Sequence, residues 1–287
     1  MQRRCPPASQ NHHRASLQRA HPGADEQWTV DLSFIDRVYE PAIRVTDFWR
    51  YHGLLNGALV IVDPADLDSY IACYGGMHYH KMIDACQQIN LNQLAGNALV
   101  EVWDWGCGPG IATYALLDEM QSCGVSTENI ARLVLIDSSG CAVRRAFELL
   151  SRDWPNFFTH ASVHRIEADL SQLRDTVLPT NRLTIKLHLL SNVLDLEGLD
   201  VQRFGSFVQQ TFSGTNIFLM VSPANARADS QITSFCRTVM YGKRVEYNRI
   251  RQAALLRRVY QVWPENQRGF VALYPITRYE RLLGVTL

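Results

Sequence analysis

The strongest constraint on the fold is the stretch ALVEVWDWGCGPGIATYALL, residues 98–117. An apolar run ends in Asp104, glycine then recurs at Gly106, Gly108 and Gly110, and a helical pattern starts at Ile111. Glycine has no Cβ, so such a loop can turn sharply and lie against a ligand while the next helix aims free N–H groups the same way. Strand, glycine turn and helix in that order open a βαβ unit. The spacing is D-x-G-x-G-x-G. It differs from the dinucleotide fingerprint G-x-G-x-x-G, and no Gly-Lys-Ser/Thr follows to hold a β/γ-phosphate or Mg²⁺.

The alternation continues downstream. RLVLID (132–137), SVHRIEADL (162–170), RLTIKLHLLSNVL (182–194) and TNIFLMVSP (215–223) read as strands. SGCAVRRAFELLSRDW (139–154) and DLEGLDVQRFGSFVQQTF (195–212) read as helices between them. Strands and helices alternating at this spacing predict an α/β, doubly wound, mostly parallel sheet. Ligands in such sheets bind at the loops that follow the strands. Residues 28–97 space their apolar side chains at three and four and predict a helical N-terminal cap, interrupted at Gly75–Gly76. Residues 98–287 form the Rossmann-like domain, whose segment 226–287 is read as a basic helix to about Val262, with Ala253, Leu255, Leu256 and Val259 on its buried side, and a last strand in GFVALYPITRYE.

Composition narrows the class. The chain has 287 residues, 47% hydrophobic and 20% charged, which is a globular composition with room for a full core. No apolar run approaches the ~20 residues of a membrane-spanning helix. The net charge is zero but unevenly spread: ten Arg or Lys against three Glu from Arg237 onward, and fourteen acids against eight bases between Glu101 and Asp200. The seven cysteines stand singly, without a Cys-x-x-Cys pair, so neither a zinc site nor a disulfide framework is expected, and a reduced, cytoplasmic setting is. Residues 1–27, rich in Arg, His, Gln and Pro, lack the apolar core of a secretory signal and read as a disordered extension or a start placed too far upstream, with an organelle transit peptide as the lesser alternative.

The stretch VEVWDWGCGPG resembles motif I of class I S-adenosylmethionine-dependent methyltransferases, and the resemblance spans roughly residues 98–225. It implies that the loop Gly106, Cys107, Gly108 and Gly110 passes under the methionine part of the cofactor and that Asp104 orients it. LVLIDSSGCAVRRA resembles the family's second strand, whose terminal acid holds the ribose hydroxyls; this implies that role for Asp137, with Ser138 beside it. HRIEADL resembles the third, which implies that Asp169 and Leu170 hold the adenine. KLHLLSNVLD resembles the fourth strand and the transfer-side loop, carrying Ser191 and Asn192, and its S-N-x-L-D form is similar to that of a poorly characterised bacterial group. Three acids at successive strand ends suit a cationic sulfonium cofactor, and no metal is required.

The acceptor is read by exclusion. The loop after the fourth strand lacks Asn/Asp-Pro-Pro-aromatic, no Pro-Cys lies near it, and Lys186 and Lys243 do not supply a Lys-Asp-Lys-Glu set; this weakens three nucleic-acid subclasses without excluding nucleic acid, and the acceptor stays open among RNA, protein or a small molecule. The cluster CYGGMHYHKM (73–82) places His78, Tyr79, His80 and Lys81 where a helix could close over the cofactor; a histidine there titrates near neutrality and could act as base. The alternative is a helix with Tyr and Met in the core. His78 and His80 are two apart, so a shared metal is disfavoured on a helix. His188 reads as a packed histidine inside its strand. The basic segment GKRVEYNRIRQAALLRRV can track a phosphate backbone or simply balance the acidic sheet domain. Two functions follow: a methyltransferase, or a catalytically silent S-adenosylmethionine-binding module that recruits a partner or nucleic acid. A nicotinamide-dependent reductase is a weaker third.

Overall fold

Strands buried on both faces set the architecture of the protein, of which a computed structural model describes residues 33–46, 50, 60–91, 94, 98–173, 179–262 and 269–287. The extension 1–27 and most of 47–59 lie outside the described residues. Strand β1, Val100–Trp105, is buried at every position. It pairs in parallel with β2, Ile130–Asp137, on one side and β4, Ile185–Ser191, on the other. Strand β3, Ser162–Glu167, pairs with β2, and β5, Thr215–Pro223, with β4, both in parallel. Two antiparallel strands, β6 (Arg244–Val262) and β7 (Gly269–Thr286), complete the order β3-β2-β1-β4-β5-β7-β6.

Alternation along these strands feeds two cores, as expected of a parallel sheet covered by helices on both sides. Val102, Leu133, Leu135, Leu187 and Leu189 face one side. Against them lie α1 (Glu40–Val45, entered through a π-helical turn Ile35–Tyr39), α2 (Pro64–Tyr70), α3 (Gly76–Cys86), α4 (Ile111–Ser122), α5 (Gly140–Asp153) and the short α6 (Pro155–His160). Trp103, Trp105, Val134, Ile136, Phe218 and Met220 face the other, covered by α7 (Val201–Thr211) and α8 (Ala226–Met240). His188 belongs to this second core. Its Nδ1 accepts from Trp105 Nε1 at 3.1 Å, its Nε2 meets Asn216 Oδ1 at 3.0 Å, and its ring stacks on Phe218. Burial pushes the imidazole down to about 3, so it is neutral.

Two expectations are corrected. The stretch read as a basic helix to Val262 is helical only to Met240. Gly242, at φ 67°, turns the chain, and from Arg244 the backbone pairs with β7. The apolar residues taken for a helix face, Ala253 to Val259, therefore occupy strand positions; pairing with a distant strand outweighs local helical spacing. The pairing also runs beyond the sheet: β5 ends at Pro223 opposite Arg278, while β6 and β7 stay paired from Ala254–Thr277 to Val262–Gly269. Second, Gly75–Gly76 does not interrupt the N-terminal helix, because a π-helical turn, Ile71–Gly75, joins α2 to α3 without a break.

The glycine pair serves close approach instead. A Cβ on Gly76 would lie 2.6 Å from Tyr39 Cζ, so the ring of the first helical segment rests directly on the α3 backbone. Gly76→Val is expected to overpack this crossing and to cost about 1–3 kcal/mol, read as a lower urea midpoint at unchanged m-value. A midpoint equal to wild type would show that the Tyr39 contact does not hold the crossing.

Candidate functional site

Because β1 to β5 are parallel, Trp105, Asp137, Glu167, Ser191 and Pro223 end on one edge of the sheet. The order reverses between β1 and β4, where connections leave to opposite sides and open a crevice. The glycine loop fills that point. Gly106, Gly108 and Gly110 all have positive φ, and a Cβ on Gly108 would meet nothing within 4 Å, so the loop turns bare backbone to open space. Cys107 N donates to Ile136 O at 2.9 Å and continues the ladder, while its thiol is buried behind the loop. A Cβ on Gly110 would press on Ala146 of α5, so this glycine serves helix packing.

Asp104 is buried at the end of β1. Its Oδ2 accepts from Thr113 N at 3.2 Å and Thr113 Oγ1 at 2.6 Å, in the first turn of α4. Asp137 lies beside the loop on β2, with Oδ2 accepting from Gly108 N at 2.9 Å and Oδ1 from Ser139 N at 2.8 Å. Burial raises its carboxyl above the usual range, and these two N–H groups oppose the rise. The hydroxyl of Ser139 caps α5 through Ala142 N at 3.0 Å and also donates to Ile61 O, which draws Val60 and Ile61 across the crevice.

Two adjoining cavities follow. The first, about 110 Å³, is lined by Tyr70, Gly106, Gly108, Asp137, Ser138, Ser191, Asn192 and Val193. The second, about 280 Å³, is lined by Asp137, Ser138, Asp169, Leu170, Val193 and Leu199. They share Gly106, Asp137 and Ser138, so together they make one trough in the size range of small-molecule sites. A larger cavity of about 610 Å³ lies at the opposite edge, against Ile185 and Thr215, and no predicted site residue lines it. Lys186 belongs to that opposite end: its ammonium donates to backbone carbonyls of Thr184 and Ser213.

Gly106, Gly108, Asp137, Ser138, Asp169, Leu170, Ser191 and Asn192 thus surround one trough. Asp104, Cys107 and Gly110 stand behind its wall. The 73–82 cluster divides. Tyr79 turns into the core, stacking on Phe34 at 5.1 Å and donating to Asp118 Oδ2 at 2.7 Å. His80 stands edge-on to Tyr79 and does not line the trough. His78 is buried behind Tyr70, whose hydroxyl meets His78 Nδ1 at 3.1 Å, and burial holds the imidazole well below its usual range. None of the three presents a base to the trough. Two further residues reach this side: Tyr70, which no motif marked and which lines the first cavity from α2, and Lys81 of the 73–82 cluster, whose Nζ donates to Asn192 Oδ1. Asn192 is held at φ 55°, the one non-glycine residue with positive φ among those described.

Burial raises the Asp104 carboxyl to about 7, against the ordinary ~3.9. Folding therefore takes up a proton between these values; the stabilisation is complete below about pH 4 and lost as pH rises through about 7. Asp104→Asn keeps an acceptor for Thr113 and does not titrate. Urea midpoints of the unliganded protein should show the variant gaining on wild type from about pH 5 to 7, by roughly 1 kcal/mol per pH unit. A constant difference would disprove the raised value.

No protein-family profile matches the sequence, and no curated protein does. Among solved structures, a methyltransferase from Leishmania major described as S-adenosylmethionine-dependent is similar at 15% identity and TM-score 0.42, over 86% of this chain and 89% of that one. The magnesium protoporphyrin IX methyltransferase of Synechocystis, solved with S-adenosylmethionine, is similar at 14% identity and TM-score 0.39, over 85% and 96%. The plantazolicin methyltransferase BpumL, solved with S-adenosylhomocysteine, is similar at 12% and 0.44, over 85% and 98%. The chain's own sheet defines its fold: seven strands in the order 3-2-1-4-5-7-6, with β7 alone running against the other six, form a doubly wound, mostly parallel α/β sheet.

Proposed function

We propose that this protein binds S-adenosylmethionine in the trough and transfers its methyl group to an acceptor that enters beside Ser191 and Asn192. The observation that carries the reading is the occupation of the α4 N-terminus. Helix N-termini attract phosphate, and a dinucleotide would place its pyrophosphate there. In this chain the Asp104 carboxylate already takes the N–H and hydroxyl of Thr113. An anion is thereby disfavoured and a cation favoured, which suits a sulfonium over a dinucleotide.

The remaining residues fit the same group. Asp137 keeps lone pairs free beyond the two N–H groups it accepts and faces both cavities, as ribose hydroxyls require. Asp169 is fixed by Ser171 and Gln172 at the far cavity, with Leu170 beside it to pack a base. The bare backbone at Gly108 leaves the cavity open for a close-lying chain. When bound, the cofactor supplies a methyl group already activated by the positive sulfur. The protein then has to position and to exclude water, and orientation of this kind carries a large share of such a barrier. Tyr70, Ser191 and Asn192 give the transfer side its hydroxyl and amide groups.

A nucleic-acid acceptor is supported by the edge strand β6 and the turn before it, where Arg244, Arg249, Arg251 and Lys243 are exposed, and by the continuation of the β6–β7 hairpin past the edge that carries the trough. We place the protein in the cytoplasm on its cysteines, six of which are described and all free.

Calorimetry with S-adenosylhomocysteine should give one site per chain. Asp137→Asn, which loses a charged acceptor, should bind about 10–100-fold more weakly at unchanged circular dichroism. Wild-type affinity in that variant would displace the site. Labelled methyl transfer into cell extract, split by ribonuclease and protease sensitivity, names the acceptor class; binding without transfer to any fraction would leave a cofactor-binding protein and refute the enzyme.

A further inference from the structure

Lys81 is the group at this site for which the reading above has no use. It is 2% exposed, on α3, and its Nζ donates to Asn192 Oδ1. Lysine offers only donors, so the Asn192 carboxamide must turn its oxygen to Lys81. Its Nδ2 then donates to Ser191 Oγ at 3.0 Å, and its backbone N–H to Val221 O at 2.7 Å. Both Ser191 and Asn192 line the first cavity. The charged neighbours are accounted for on every side. On its own helix are neutral His78 and Asp84; Asp195 follows β4; Arg278 and Glu280 come from β7; Arg251 comes from β6. Arg278 pairs with both Asp84 and Glu280, and Arg251 reaches Asp84 at 3.4 Å, so the arginines take up these two acids. Among the described residues no carboxylate lies within ion-pair distance of Lys81.

We propose, resting on the S-adenosylmethionine reading, that Lys81 is a positioning residue that locks the Asn192 carboxamide on the transfer side and sets behind it a titratable charge by which the site tells the sulfonium cofactor from its neutral thioether product. An ammonium near the trough opposes a second cation and is indifferent to a neutral sulfur. A neutral amine removes the opposition and keeps the hydrogen bond to Asn192. The two forms interconvert near neutral pH. Burial, with help from Arg278, brings the ammonium down to about 7, against the pull of Asp195. Binding of the sulfonium and loss of a proton from Lys81 are therefore linked. After transfer the thioether no longer opposes the ammonium, and the site loses its preference for the amine.

The test is calorimetric and needs no acceptor. Affinities for S-adenosylmethionine and S-adenosylhomocysteine are measured at about pH 6 and about pH 8.5 and expressed as their ratio, which cancels groups common to both ligands. In wild type the ratio should rise about tenfold in favour of the sulfonium, the effect of one pKa unit of coupling. Lys81→Met should exceed the wild-type ratio at pH 6 and agree with wild type at pH 8.5. This comparison is independent of Asp104, which both proteins retain. Asp195→Asn, which removes the carboxylate that holds the ammonium charged, should move the wild-type midpoint to lower pH. A merely structural role for Lys81 would weaken both ligands alike and leave the ratio unmoved, and that result overturns the proposal. If Lys81→Met loses its circular dichroism, the Asp195→Asn midpoint decides, and an unmoved midpoint overturns it. Failure of wild type to bind S-adenosylhomocysteine at all would instead remove the cofactor reading and this proposal with it.

Discussion

The grip of Asp104 on Thr113 is the contact around which the site is arranged. It joins the end of the central strand to the first turn of α4 across only nine residues. The chain between them has to leave the sheet and return within that span, and Gly106, Gly108 and Gly110 at positive φ are what let it do so. A Cβ on Gly106 would meet Val193 at 2.7 Å, so the loop also lies directly against the turn that follows β4. The loops after β1, β2 and β4 are thereby brought to one trough. Asp137 then fastens the loop from the neighbouring strand through Gly108 N.

What the sequence disclosed follows from range. Periodicity and turn residues act within a few positions, and they located the five parallel strands, the glycine loop and the acids at the strand ends. They failed where a distant partner decides. Arg244–Val262 has helical spacing in Ala253, Leu256 and Val259, yet β7 lies alongside it and the backbone pairs there. Gly75–Gly76 is locally a breaker, yet Tyr39, far earlier in the chain, rests on it. The same limit governs the site. Asp137 and Asp169 could be read because they stand at strand ends. Tyr70 could not, and Lys81 stood only as one of four candidates in its cluster, because only the docking of α2 and α3 on the sheet brings them to the trough and to Asn192. Tyr79 and His78 looked catalytic for their chemistry alone, and the same docking turns them to Asp118 and Tyr70.

That docking has an ionic component. Arg278 of β7 is fully buried between Asp84 of α3 and Glu280 of its own strand. Buried pairs of this kind add little net stability, because desolvation offsets their attraction. Their geometry is selective, however, since an arginine displaced from its carboxylates would be left buried and unpaired. The pair therefore fixes how the N-terminal helices meet the C-terminal hairpin. Arg278 stands opposite Pro223 in the register, at the edge that carries the site, so the constraint falls where Lys81 must meet Asn192.

Asp104 and Lys81 hold opposite ends of one electrostatic arrangement. Burial raises the acid to about 7 and lowers the amine to about 7, so near neutrality each is close to its own midpoint. Neither forms an ion pair with the other, and the trough lies between the loop that Asp104 anchors and the carboxamide that Lys81 holds. A cation placed there favours carboxylate over acid and amine over ammonium, and both shifts release a proton. A neutral ligand of the same shape drives neither. Behind the wall of the trough thus stand two groups whose protonation, on the proposed reading, answers to the charge of what it holds, and a sulfonium loses that charge together with its methyl group.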